Sequence, residues 1–117
     1  MISNAVKAEL LKKLTEKYPK LSVKVHTGNP GEEGKSNAAT ETTRKEVGTW
    51  EGTTSLKNKA ALKWSNVSTT ETYKYVSFWS EATGGEFLGY ALLEAEKAVT
   101  KGDSAEIPPE GFTWTTA

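Results

Sequence analysis

Between Ser3 and Tyr18 the apolar residues Val6, Leu10 and Leu14 return every fourth position with Leu11 beside them, while Lys7, Lys12, Lys13, Glu9 and Glu16 fill the other face. That period predicts a helix over 3–18. Ser3 offers an N-cap oxygen, and Tyr18 precedes Pro19, which disfavours helical geometry in the residue before it. The stripe is narrow, so the helix is expected to lie on a sheet or on another subunit. At residue 21 the period shortens to two. Leu21, Val23 and Val25 alternate with Ser22, Lys24 and His26, which predicts a strand with one buried face and His26 at the surface on the other. Gly28 to Ala39 is rich in Gly, Pro, Asn and Ser and reads as an exposed loop. Thr40 to Trp50 carries β-branched residues and predicts a strand ending at Gly52, and Ala60, Leu62 and Trp64 alternate with Lys59, Ala61 and Lys63 as a second half-buried strand.

The run Tyr73-Lys74-Tyr75-Val76-Ser77-Phe78-Trp79 is apolar on both faces, which suits a central strand covered on both sides, or one with a face left for a partner. Gly84-Gly85 supplies a tight turn and Phe87 to Leu93 returns, so 73–93 reads as a hairpin. Lys97 to Val99, a Lys101-Gly102-Asp103 turn, Ser104 to Ile107, the Pro108-Pro109 break and Phe112 to Thr116 complete about seven short strands. The expected fold is mainly β: a small antiparallel β-sandwich or jelly-roll-like barrel with one N-terminal α-helix. A single domain over 1–117 is expected, with the helix at 3–18 and the sandwich at 21–116. Ten of the eleven aromatic residues lie from Trp50 to Trp114, so the β portion should own the core.

Composition narrows the function. With 117 residues, 36% of them hydrophobic, the chain can build one core and not two. Fifteen basic residues balance fifteen acidic ones, which argues against affinity built on phosphate neutralisation, and no nucleic-acid partner is expected. There is no cysteine, hence no disulfide and no thiolate site. No basic-then-apolar leader opens the chain, and no run approaches the ~18 apolar residues of a membrane span, so a soluble chain without an export signal or membrane partner is expected.

Reactive groups are scarce. The only Asp is Asp103 and the only His is His26. A Ser-His-Asp triad would have to use both, and no Gly-x-Ser-x-Gly elbow presents a serine. One His cannot build a multi-histidine zinc site, nor one Asp an EF-hand loop. Glu94 with Glu96 and Glu32 with Glu33 read as solvated carboxylates. Gly28-Asn29-Pro30-Gly31-Glu32-Glu33-Gly34-Lys35-Ser36 imitates a P-loop, but five residues separate Gly28 from the Gly-Lys pair where four are needed, and two glutamates would repel a triphosphate. No catalytic, cofactor-binding or metal-ligating residue is assigned, and no enzyme is expected.

Val25-His26-Thr27-Gly28-Asn29-Pro30-Gly31, then Phe78-Trp79 with Gly84-Gly85-Glu86-Phe87-Leu88-Gly89, then Gly102-Asp103 with Ile107-Pro108 and Gly111, resemble in order a family of small tailed-phage virion proteins, variously tail fibre-like, minor tail or head decoration proteins. The chain departs from that pattern at Thr42-Thr43-Arg44, where the family often has Tyr-x-Arg, and at Ser80-Glu81, where it often has Asp after the strand Trp. The resemblance implies a non-enzymatic structural component of the virion, assembled in the host cytoplasm on other virion proteins such as the major capsid or a tail protein, and oligomeric. Tyr73, Tyr75 and Trp79 are the candidate interface, unless these rings fill the sandwich interior. The helix is a second candidate. The alternative function is a carbohydrate-binding β-sandwich module recognising host surface glycan, with Trp50, Trp64, Trp79 or Trp114 stacking on sugar rings. A barrel stacking single-stranded nucleic acid on Tyr73, Tyr75 and Phe78 lacks the basic groove it would need.

Overall fold

Ser3 starts the helix in the way its hydroxyl allows. In the computed structural model, which describes residues 3–52 and 55–115, α1 spans Asn4–Lys17 and the Ser3 Oγ accepts the Val6 N–H at 3.2 Å. At the other end the Tyr18 N–H donates to the Leu14 carbonyl at 3.0 Å, and Pro19 follows. The apolar stripe does not lie flat on the sheet. Leu11 is the buried side chain, Leu14 and Tyr18 pack partly against the core, and Val6 and Leu10 remain 47% and 46% exposed. The helix is rotated so that Leu11 meets the neighbourhood of Trp50 and Leu56, which turns the fourth-residue stripe half outward.

Nine strands follow among the described residues: β1 (Ser22–His26), β2 (Lys45–Glu46), β3 (Trp50–Glu51), β4 (Ser55–Asn58), β5 (Leu62–Trp64), β6 (Glu71–Trp79), β7 (Phe87–Val99), β8 (Ala105–Ile107) and β9 (Thr113–Thr115). Every pairing is antiparallel, in sheets of order β2-β1-β6-β7, β3-β4-β9 and β5-β8. The mainly β fold with one helix is as the pattern predicted, and so are β5, β8, β9 and the β6–β7 hairpin.

Three segments differ. The strand expected over 40–50 pairs only at Lys45–Glu46 and Trp50, because its other residues are held by side chains. The Thr43 carbonyl accepts the Trp64 indole N–H at 2.7 Å, and the Thr40 N–H donates to the Glu71 carboxylate at 2.8 Å. β4 has no strand signature in Ser-Leu-Lys-Asn and forms because Leu56 pairs opposite Trp114. Residues 87–93 and 97–99 are one strand rather than two. Between the Tyr73↔Lys97 and Tyr75↔Leu92 pairs, β7 bulges away from β6 and engages the start of β9, with Leu93 bridging Phe112 and the Glu94 N–H donating to the Gly111 carbonyl at 2.8 Å.

Val23, Val25, Val76, Phe78 and Ala91 share the inner face of the four-stranded sheet. Phe78 stacks on Trp114 at 3.9 Å and 11° and meets Phe112 edge-on at 5.2 Å, and Trp50 stands 6.0 Å from Phe112 and 6.2 Å from Phe78. Leu62, Trp64 and Ile107 of the two-stranded sheet join the same buried cluster, so all three sheets share it.

The outer face of the four-stranded sheet is covered around His26, and here the sequence expectation is corrected. His26 is not a surface residue but 0% exposed, because the segment after it folds back over the sheet. The Thr27 N–H donates to the Asn37 carbonyl, the Ser36 N–H to the Pro30 carbonyl and the Gly31 N–H to Asn29 Oδ1. Pro30, Gly34 and Ala39 are buried, so 28–39 is a cover with an exposed rim rather than a free loop. Gly34 sits at φ +72°, and a Cβ there would run into the Phe87 ring.

Two outcomes test this packing. Phe78→Ala removes the stacked ring and is expected to cost roughly 3–5 kcal/mol in urea unfolding. Gly34→Ala combines a left-handed backbone with a blocked Cβ and is expected to cost about 1–3 kcal/mol, with Phe87→Leu restoring part of it.

Candidate functional site

Cross-strand register sets three rows on the outer face: His26–Tyr75–Leu92, Lys24–Ser77–Tyr90 and Ser22–Trp79–Phe87. Across these rows runs a chain of polar contacts. His26 Nδ1 is 3.0 Å from the Ser36 carbonyl, His26 Nε2 is 2.7 Å from Ser77 Oγ, and the Trp79 indole N–H donates to Ser77 Oγ at 2.8 Å. A carbonyl only accepts, so Nδ1 carries the proton. Nε2 then accepts the Ser77 hydroxyl proton, and Ser77 in turn accepts from Trp79. Every donor and acceptor is matched with a neutral imidazole. Protonation would put a second N–H against Ser77 Oγ and leave the hydroxyl proton without an acceptor.

Burial pushes the His26 imidazole below its ordinary value, the Ser36 carbonyl raises it, the Lys24 ammonium lowers it, and a backbone bond with Asn37 raises it, with a net lowering. Lys24 is itself lowered by burial and then by Arg44. Arg44 lies over the Trp79 ring, its Cζ 4.0 Å from the centroid, and donates to the Glu81 carbonyl at 3.1 Å and to the Gly84 carbonyl, so it clamps the hairpin turn onto the indole.

Ser77 and His26 stand at the distance of a nucleophile and its base, but both are fully buried, the group behind the imidazole is a carbonyl and not a carboxylate, and Ser77 is occupied by Trp79. Asp103 lies elsewhere, in the exposed turn whose carbonyl accepts the Val67 N–H at 2.9 Å. Glu32, Glu33, Glu94 and Glu96 are all exposed. The P-loop look-alike is spent on covering the sheet.

The structure splits the trio Tyr73, Tyr75 and Trp79. Tyr73 is 1% exposed, and its hydroxyl is buried with no hydrogen-bond partner among the described residues. Desolvation first, then Glu71 and Glu41, push that phenol up to about 12. Trp79 is half-buried between Arg44 and Phe87, whose ring is 5.5 Å away. Tyr75 is half-buried at the surface, where its ring lies 6.1 Å from Tyr90 and opposite Leu92. Tyr90 and Leu92 are 42% and 60% exposed, and sequence reading passed over both. Their signal was the register: residues paired with Tyr75 and Ser77 must share the outer face.

Of the other indoles, Trp64 and Trp114 are buried and Trp50 is half-buried within the aromatic cluster. Trp50 also lines a cavity of about 620 Å³ beside α1, with Leu11 and Leu56. No helix among the described residues is long and apolar enough to cross a membrane.

The fold and site thus define a mainly β protein whose accessible features are surfaces rather than reactive groups. A family model described as podophage GP4 fiber I protein gp80 matches residues 1–115, and the chain belongs to this family. It is a tailed-phage virion structural protein, of the fibre kind. Among curated proteins no sequence matches it.

Two measurements probe these buried polar groups. His26 has a folded pKa below the unfolded one, so its contribution is complete above the unfolded value of about 6.5 and is lost as pH falls from there toward the folded pKa. Stability against urea should decline across that acid range, and His26→Gln should flatten the decline. For Tyr73 the sign is opposite: a raised phenol contributes fully below about 10 and loses that contribution as pH rises through about 12. Tyr73→Phe removes a buried hydroxyl that gains no bond, so it should leave stability unchanged or raise it by up to about 1 kcal/mol.

Proposed function

We propose that the chain is a tail-associated fibre subunit, assembled in the host cytoplasm, that works by self-association and by binding other virion proteins and not by turnover. The observation that carries this reading is the patch formed by half-buried Tyr75 and exposed Tyr90 and Leu92, from two adjacent rows on the outer face of the four-stranded sheet. Two Tyr rings and a Leu make the kind of anchor around which protein contacts concentrate their affinity. The family match supports the virion side of the reading, and the sealed His26–Ser77 pair supports the non-enzymatic side. The tail is favoured over the capsid surface because the family description is that of a fibre protein.

Immunogold labelling of purified particles tests location: tail labelling is expected, and head labelling would replace this reading with capsid decoration. Phage encoding Leu92→Asp should carry the subunit with its association weakened by about tenfold or more, read as copies per particle by quantitative mass spectrometry. Unchanged copy number would exclude this patch as the contact. Saturable binding of host wall polysaccharide with quenching of tryptophan emission would instead favour the glycan module.

A further inference from the structure

The chain's zero net charge conceals a segregation of charge over two apolar surfaces. Where β7 bulges from β6, a groove of about 290 Å³ opens between residues 93–97 and the β8–β9 turn. Its floor is apolar, with Ala95 and Pro108 at the surface together with the buried Leu93 and Ile107. Its rim carries Glu94, Glu96, Glu106 and Glu110 against Lys97 alone among the lining residues. Glu110 also has a long contact with Lys57, at 3.8 Å on the surface.

The complementary surface is on α1. Val6 and Leu10 form its outward apolar stripe, and Lys7, Lys13 and Lys17 stand three before, three after and seven after Leu10, on the same side of the helix. Among the described residues α1 lies against β4 and near Trp50 of β3, away from the residues that line the groove, so a chain's own helix does not occupy its own groove. Glu9 pairs with Lys13 at 3.4 Å, an exposed contact that is easily exchanged.

We propose that the helix of one copy seats Val6 and Leu10 in the acidic groove of a second copy, its lysines meeting the glutamate rim. The contact rests on the reading that this protein functions by association, and it names the occupant. Charge decides against the symmetric alternatives. Helix on helix would bring the Lys7, Lys13 and Lys17 borders together, and groove on groove would oppose the glutamates. A helix-in-groove contact is anchored by residues spaced four apart, as Val6 and Leu10 are. It joins two different surfaces head to tail, which builds rings or filaments and not closed two-fold dimers.

Such a contact has two separable halves. Leu10→Glu spoils the helix half, and Ala95→Lys/Glu96→Lys spoils the groove half; all three positions are exposed. By light scattering, the wild-type chain should form concentration-dependent oligomers, each variant alone should lose association by about tenfold or more, and an equimolar mixture should give heterodimers through the one intact pair of halves. Near-UV dichroism of each variant should match wild type. Raising salt to about 1 M, where the screening length falls to roughly 3 Å, should weaken assembly. A monomeric wild type, a groove variant that associates like wild type, or a mixture without dimers would overturn the contact. A chain that labels virions but stays monomeric sinks this contact and leaves the fibre reading standing, whereas an oligomer absent from particles does the reverse.

Discussion

Strand β6 is used on both faces, and the rest of the molecule is arranged around that demand. Inward, Phe78 stacks on Trp114 and brings the three-stranded sheet against the four-stranded one. Outward, Ser77 links His26 to Trp79. The two faces differ in kind. Aromatic burial is large and tolerant of small shifts, while a buried polar chain is stabilising only if each proton has its acceptor. The outer network therefore fixes the path of 27–38 more narrowly than apolar contact could, because the Ser36 carbonyl must arrive at His26 Nδ1 while Gly34 lies flat on Phe87. Arg44 closes the remaining side by covering the indole.

Much of this was legible one element at a time. Ser3 and Pro19 bound the helix within a residue of its limits, since capping and the pre-proline restriction are local effects. Leu62-Lys63-Trp64 and Ala105-Glu106-Ile107 alternate as half-buried strands and pair with each other as such. The apolar doubling of 73–79 announced a central strand, either covered on both sides or with one face left for a partner. What covers it was not legible, because Gly28 to Ala39 has the composition of any surface loop and its burial comes from residues fifty positions away, Ser77 and Phe87 among them. His26 was misplaced for the same reason: alternation assigns a face but not whether that face is open. β4 forms by tertiary pairing without a local signature, and the outward turn of Val6 and Leu10 follows from Leu11 docking near Trp50, which no helical period encodes.

The candidate contact residues illustrate the same limit. Tyr73, Tyr75 and Trp79 are equivalent in sequence, at alternating positions along one strand, yet they occupy an interior, a surface and a clamped site. The bulge opposite Lys74 separates the first from the second, and Arg44 separates the third. Tyr90 and Leu92 become partners of Tyr75 only once the hairpin register is known, and that register is set across a Gly84-Gly85 turn with a further bulge between Phe78 and Trp79.

A chain with equal numbers of opposite charges gains little long-range repulsion to keep copies apart, so the distribution of charge has to determine which contacts form. Segregating lysines beside the helix stripe and glutamates around the groove makes like surfaces repel and unlike surfaces attract, which selects direction as well as affinity. Direction is what a fibre subunit needs, since an assembly that grows along one axis requires each copy to present one surface and accept another. Sealing the single imidazole inside the sheet fits the same economy. With its protons matched internally, His26 adds no titrating charge to the surface until acid is strong enough to disturb the fold itself.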